Sequence, residues 1–436
     1  MTRSAPSPNG SLPRGASRRT TLQGALATGA LLGLSAPAAL GQATAPVVVI
    51  GSGFAGATCA RSLKGADPGL AVTLVEPAER YLACPFSNLV LAGLRKLDEQ
   101  AFGYAGIAAA GVTIARQPAV AVDPERRRVR LGDGAELDYQ RLVVAPGVDL
   151  RFDAIPGYDE AASERMPHAW KAGLQTGLLR RQLEAMPDGG QVVMAVPANP
   201  FRCPPGPYER ASLIAHYLKT HKPRAKLIIL DAKDQFSKQR LFEEAWAELY
   251  PGLIEWVSLS FGGQVTEVDP GANTLVTEFG SHRADVANVI PPQRAGAIAA
   301  LAGVADATGW CPIDPVTFES TLVPGIHVIG DAAIGGAMPK SAFSANAQAK
   351  ACAAAIIHLV REEAPPTPKL VNTCYSLVAP DYGISIAGVY APKDGLLAEV
   401  EGAGGVSPLE APAAVRQAEA AYAEAWFRTV TDEVFG

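Results

Sequence analysis

The chain contains no run of 18 consecutive apolar residues, no C-x-x-C pair and no sustained basic stretch. The first absence leaves no segment of the mature chain apolar enough to span a bilayer as a helix. The second removes a zinc ribbon and a thioredoxin-type motif, and the lack of C-x-x-C-H removes a c-type haem attached to this chain. The third, with a formal net charge of −5, argues against nucleic acid as a partner. No fixed-period repeat is present, and no low-complexity segment follows the first 43 residues. What remains is an ordinary globular balance, 48% hydrophobic and 19% charged over 436 residues, enough for two or three domains. The 43 glycines and 35 prolines point to many tight turns, as folds with loop-built sites require.

Residues 1–43 read as a leader. Arg18-Arg19 stands before an apolar stretch over 22–34, too short for a bilayer, and Gly41-Gln42-Ala43 offers a cleavage site. This is the pattern of a twin-arginine signal peptide, so the expected location is the periplasm of a bacterium. That route carries folded, cofactor-loaded proteins.

Residues 46–50 are a short β-branched run, read as a buried parallel strand. Gly51-Ser52-Gly53-Phe54-Ala55-Gly56 follows, then a helical stretch, then a strand over 72–75 ending at Glu76. Strand, G-x-G-x-x-G, helix, strand and acid at this spacing form a dinucleotide site. Gly51, Gly53 and Gly56 let backbone and helix N-terminus approach a pyrophosphate, and Glu76 can take ribose hydroxyls. A second unit of the same kind begins at 191–196, with a helix expected over 208–218 and a strand over 227–230 ending at Asp231. Its connecting loop lacks the glycines: Pro197-Ala198-Asn199-Pro200-Phe201-Arg202-Cys203-Pro204-Pro205-Gly206. Prolines and bulky side chains leave little room for a pyrophosphate, so NAD(P)H is not expected there.

A strand over 141–144 runs into Ala145-Pro146-Gly147, and another over 325–329 runs into Gly330-Asp331. An acid at such a strand end, beside the first unit, can hold the ribityl or pyrophosphate part of FAD. Met338-Pro339-Lys340-Ser341 precedes a small-residue helix through 357, whose N-terminus can face the electron-rich end of a flavin. Residues 365–368 read as a linker, and 411–427 as a last helix.

The segments GSGFAG, YLACPFSNLVLAG, RCPPGPYERAS, GWCPID, HVIGDAAIGGAMPKSAFSANAQAK and NTCYSLVAPDYGISI together resemble the flavoprotein subunit of flavocytochrome c sulfide dehydrogenase, over nearly the whole mature chain. The resemblance implies an α/β fold of two Rossmann-like dinucleotide-binding domains, glutathione-reductase-like, plus a small C-terminal α+β domain. The boundaries expected are 44–156 with 291–366 for the FAD-binding domain, 157–290 for the second, and 367–436 for the third. It implies FAD bonded through Cys84, a redox disulfide between Cys203 and Cys374, a carboxylate beside it at Glu209, and a separate c-type cytochrome subunit carrying haem. Pro85 departs from the family, some members having an aromatic residue after the flavin-bearing cysteine.

The residue chemistry is consistent with that picture. A disulfide is an electrophile that HS⁻ can open, giving a persulfide and a thiolate able to reduce a flavin. Cys374 is assigned as the flavin-facing sulfur, Cys203 as the sulfur acceptor, Glu209 as a proton carrier and Lys340 as positive charge for the reduced ring. The residues alone leave other readings open: a structural disulfide or two buried thiols, an inert Cys84, a solvating Glu209 and a surface Lys340. Cys59, Cys311 and Cys352 read as apolar packing. Alternative functions are a sulfide:quinone oxidoreductase, a stimulating subunit of a sulfur-oxidising complex, and a nicotinamide-linked disulfide reductase.

Overall fold

The computed structural model describes residues 46–436; the leader expected over 1–43 lies outside them. The elements that position the site are, in chain order, β1 (Val47–Ile50), α1 (Phe54–Ala66), β2 (Val72–Val75), α2 (Ser87–Leu91), β3 (Thr113–Ala115), β4 (Arg141–Val144), β5 (Gln191–Val196), α3 (Gly206–His221), β6 (Lys226–Asp231), α4 (Gln239–Leu249), β7 (Ile254–Val257), β8 (Val286–Val289), β9 (Ile326–Val328), α5 (Ala342–Val360), β10 (Leu370–Ala379), β11 (Tyr382–Lys393), β12 (Leu396–Glu399) and α6 (Ala413–Phe435).

The continuous Val-Val-Val-Ile run of β1 has no polar face, and it becomes the central strand of an all-parallel sheet ordered β9-β4-β1-β2-β3. Register decides what this sheet presents. Ile50 lies opposite both Val75 and Val144, and Val144 opposite Val328. The residues after these four strands therefore emerge at one carboxyl edge: Gly51, Glu76, Ala145 and the Gly330-Asp331 pair. Ligands of open α/β sheets sit at this edge. Gly51 turns there with φ +97°, and a Cβ on it would lie 2.3 Å from the Ala145 carbonyl oxygen. Gly56 lets α1 close on the turn, since a Cβ there would lie 1.8 Å from the Gly51 oxygen.

The second parallel sheet is ordered β7-β6-β5-β8. Val196 opposite Asp231 brings the proline-rich loop and that acid to one edge. The third is antiparallel, β10-β11-β12, and α6 packs on β11. The fold is thus α/β with two Rossmann-like parts and a C-terminal α+β part, and residues 46–436 pack within one unit.

Two helices differ from the sequence reading. α3 starts at Gly206, ahead of the expected 208, because Pro207 falls in its first turn, where no amide donor is needed. α6 runs past 427 to Phe435, because Val430, Val434 and Phe435 are buried. Phe435 stacks on Tyr81 at 5.3 Å and on Phe102 at 5.2 Å, tying this helix to the first unit.

Candidate functional site

The carboxyl edge of the first sheet opens into a cleft with about 1500 Å³ of empty space, mouth included. Gly51, Ser52, Gly53, Glu76, Ala145, Gly330 and Asp331 line it, as do Cys84, Cys203, Glu209 and Cys374. No side chain caps the N-terminus of α1, so its leading amides are free to meet an anion. Glu76 is pre-oriented: Oε2 accepts from the Ser52 amide at 3.1 Å and from Ser52 Oγ at 2.7 Å. One oxygen of Asp331, Oδ1, is sealed from solvent with no partner. Burial raises that carboxyl, while Arg202 and Lys340 pull it back. A cradle closed to any Cβ, a bare helix terminus, a ribose acid and an orphaned carboxylate oxygen together fit an FAD.

The sulfur atoms come from different parts of the chain. Cys203 sits in the loop before α3 with φ +58°, a left-handed conformation uncommon for a residue with a side chain. Its amide donates to the Lys340 carbonyl at 2.7 Å, and its carbonyl accepts from the Gly206 amide at 2.8 Å. Gly206 is required here, because a Cβ would lie 2.9 Å from the Cys203 sulfur. Cys374 is buried in mid-β10, where Asn372 Nδ2 donates to its sulfur at 3.3 Å. Asn372 Oδ1 in turn accepts from Ser341 Oγ at 2.6 Å and Ser344 Oγ at 3.1 Å, hooking the strand to the start of α5.

Burial pushes the Cys203 thiol up, and the negative charge of Glu209, then of Cys374, pushes it further. Glu209 accepts from Asn88 Nδ2 at 2.9 Å and from the Leu377 amide at 3.4 Å. Burial raises its carboxyl despite those donors, which suits a group that carries a proton. All six cysteines are free thiols in this structure.

Cys84 lies at a sharp turn, with Phe86 at φ +68°, and its sulfur is 3.8 Å from the Trp170 carbonyl. The Arg202 guanidinium donates to the same carbonyl. Burial works against its charge, but Cys84, Asp331, Tyr81 and Cys203 outweigh that and hold it protonated. Arg202 thus shares the Trp170 carbonyl with Cys84 and feels the charge of Asp331 as well. It was not singled out in the sequence, although it stands beside Cys203.

Lys340 is placed differently from expectation. It does not line the cleft. Its ammonium donates to the Asp331 and Ala333 carbonyls at 2.8 and 2.7 Å and sits 4.0 Å from the Trp310 ring centroid. Two of its donors are spent on these carbonyls and its charge lies against an indole ring, so it acts as a brace for the Asp331 turn rather than as a free charge. Cys59, Cys311 and Cys352 are all fully buried, the first and last facing each other between α1 and α5.

The strand-end acid of the second unit is taken up by side chains, beside an open cavity that Asn199, Phe201, Lys233 and Phe236 line. Asp231, the acid that would take a ribose, is fully buried. It accepts from Tyr208 at 2.5 Å, Trp256 Nε1 at 3.0 Å and Lys233 Nζ at 2.6 Å. Tyr208 stacks on Phe236 with centroids 3.6 Å apart. Asp231 is therefore engaged by three side-chain donors and has no glycine turn beside it to present backbone amides to a pyrophosphate.

Fold and cleft together define a two-domain α/β flavoprotein whose cleft is lined by cysteines. Three family profiles agree: "Pyridine nucleotide-disulphide oxidoreductase" over residues 45–179, "Sulfide dehydrogenase [flavocytochrome c] flavoprotein chain, central" over 176–291, and "Flavocytochrome c sulphide dehydrogenase, flavin-binding" over 366–435. The sulfide dehydrogenase [flavocytochrome c] flavoprotein chain of Chlorobaculum thiosulfatiphilum is 53% identical over 47 residues, 11% of this chain and 98% of that one. The chain belongs to this family of sulfide dehydrogenase flavoprotein chains. The mitochondrial sulfide:quinone oxidoreductase of Mus musculus is 25% identical over 304 residues, a match covering 65% of this chain and 65% of that relative. The solved sulfide:quinone oxidoreductase of Aquifex aeolicus shares the fold with a TM-score of 0.68 at 19% identity, covering 89% of this chain and 92% of that one. Putidaredoxin reductase, in its covalent complex with putidaredoxin, gives 0.63 at 18% identity, covering 89% and 93%.

Proposed function

We propose that this chain is the flavin-bearing subunit of a periplasmic sulfide dehydrogenase, oxidising sulfide to sulfur or polysulfide at the Cys203–Cys374 pair and passing electrons to a c-type cytochrome subunit. The observation that carries this reading is the arrival of both cysteines, one from the loop after β5 and one from within β10, in the cleft that the glycine turn and Asp331 also line. In the oxidised enzyme the pair forms a disulfide. HS⁻ attacks Cys203, the S–S bond breaks, and Cys203 carries a persulfide while Cys374 leaves as thiolate. Glu209 takes or returns the proton. Gly51, Gly53, Gly56, Glu76, Ala145, Gly330 and Asp331 would hold FAD, with Cys84 the residue that would bond to it, and the bound flavin would supply a two-electron acceptor able to release electrons singly, which a nicotinamide cannot do. Export through the twin-arginine leader belongs to the same proposal.

A quinone acceptor is the second reading. An apolar groove lined by Phe343, Ala347, Leu370, Val371, Trp426 and Val430 shares Phe343 and Trp426 with the flavin cleft. Among the described residues no helix is long and apolar enough to cross a membrane. The two readings part in one assay: sulfide-dependent reduction of a c-type cytochrome, measured beside reduction of a short-chain quinone by the same holoprotein. Cytochrome reduction without quinone reduction is expected. The reverse overturns the first reading in favour of the second, and no reduction of either overturns both.

A further inference from the structure

Lys238 is the one buried lysine among the described residues, 8% exposed, and it reaches the site from outside the cleft. It stands immediately before α4 with φ +63°, a second non-glycine residue held left-handed near the cysteines. Such conformations persist only where surrounding structure enforces them. Its ammonium donates to the Cys374 carbonyl at 2.8 Å, to Ser376 Oγ at 2.7 Å and to the Ile384 carbonyl at 3.4 Å. Those partners are all neutral, and among the described residues no carboxylate forms an ion pair with it. A buried cation without a counter-anion is costly, and the usual outcome is loss of its proton or capture of an anion.

The groups that face it are few. Cys374 comes from β10, Cys203 and Glu209 from the loop and first turn of α3, and Glu419 from α6, where Arg416 already pairs with it at 3.6 Å. Burial lowers Lys238 to about 8, and of the opposing influences that of Cys374 is the largest. Glu209 is itself pushed toward its neutral form. The anion that matches Lys238 is therefore a thiolate, and a thiolate exists only once the proposed disulfide has opened.

We infer that Lys238 is a positioning residue for charge at the dithiol, neutral while the pair is oxidised and protonated when Cys374 becomes a thiolate. This rests on the Cys203–Cys374 reading above. The balance is complete: disulfide, H₂S and the neutral Lys238 amine give the Cys203 persulfide, the Cys374 thiolate and the Lys238 ammonium. The S–S bond breaks, a new S–S bond forms to the substrate sulfur, and the proton of H₂S passes by way of Glu209, which lines the cleft, to the lysine. The buried net charge is zero before and after, so the step creates no isolated ion in the interior.

The test uses the reduced holoprotein and the pH dependence of alkylation of the pair by iodoacetamide, followed by mass. In the parent, the first thiol of the pair should titrate below the free-cysteine value of about 8.5. Lys238→Met and Lys238→Gln should raise that midpoint by about one pH unit or more and slow alkylation at pH 7 about tenfold, since thiolate fraction follows the midpoint. Lys238→Arg should restore it toward the parent value. A parent midpoint above the free-cysteine value, an unchanged midpoint in Lys238→Gln, or an Arg variant shifted as far as Gln would overturn the inference. The parent arm needs no variant to fold. If neither sulfide nor dithiothreitol changes the number of alkylatable cysteines, the dithiol reading itself fails. If the pair cycles but its midpoint ignores residue 238, only the role of Lys238 fails.

Discussion

The Tyr208 hydroxyl donates to Oδ2 of Asp231 across 2.5 Å, inside the crevice where the second unit of this fold would seat a nucleotide. Asp231, fully buried, also neutralises Lys233. Tyr208→Phe removes a donor to a buried charge and should cost about 1.5–3 kcal/mol of stability by denaturant unfolding. Asp231→Ala strands the lysine and should cost about 3–5 kcal/mol. NADH and NADPH should leave the visible spectrum of the holoprotein unchanged; bleaching by either would show that the second unit still takes a nicotinamide.

Replacing either member of the sulfur pair removes a covalent step. Cys203→Ser and Cys374→Ser should each lower sulfide oxidation about 1000-fold or more, as loss of a nucleophile does elsewhere. Flavin absorbance should persist in both variants. Full activity in both would end the dithiol mechanism.

Attachment and binding of the flavin can be separated. Acid precipitation of the parent should leave flavin with the polypeptide, whereas Cys84→Ser should release it to the supernatant. Gly56→Ala forces a carbon against the Gly51 carbonyl. It should yield protein with little or no flavin, read as the ratio of visible to ultraviolet absorbance. Cys84→Ser protein that holds flavin through acid would rule out that bond.

Acid should weaken the fold through His168. Burial, with Arg210, Lys171 and Arg202 nearby, lowers it to about 3, so it folds neutral. Below its unfolded value of about 6.5 the unfolded chain binds a proton that the folded chain refuses, so stability falls as pH drops; the loss from pH 7 to 5 is about 2 kcal/mol. His327, lowered to about 4 chiefly by burial, adds in the same direction. Glu209 and Asp331, both raised by burial, act oppositely, gaining stability as pH falls. Comparison of stability at pH 7 and 5 in the parent and in His168→Gln isolates the first effect. An equal drop in both proteins would contradict it.

Much of this was legible along the chain, and the legible part is local. The Val-Val-Val-Ile strand, the glycine turn and Glu76 follow one another within a single unit, so pattern and spacing suffice. Cys203 and Cys374 were marked by their segments, though only the registers of separate sheets bring them to one cleft. Lys238 was invisible: in Asp234-Gln235-Phe236-Ser237-Lys238 it reads as a surface lysine, and its burial depends on β10 lying across it. Lys340 failed in the other direction. Its neighbourhood pointed to the flavin, but its ammonium donates to the carbonyls of the turn it follows. Asp231 was recognised as a strand-end acid; its neutralisation by Tyr208, Trp256 and Lys233 is a tertiary fact.

The amide of Cys203 hangs from the Lys340 carbonyl, and the ammonium of Lys340 hangs from the turn that carries Asp331. These two loops, from opposite halves of the chain, form a single bracket with a sulfur at one end and a carboxylate at the other. Anyone transplanting the sulfur loop into another scaffold would have to move the 330–340 segment with it, because neither half keeps its shape alone.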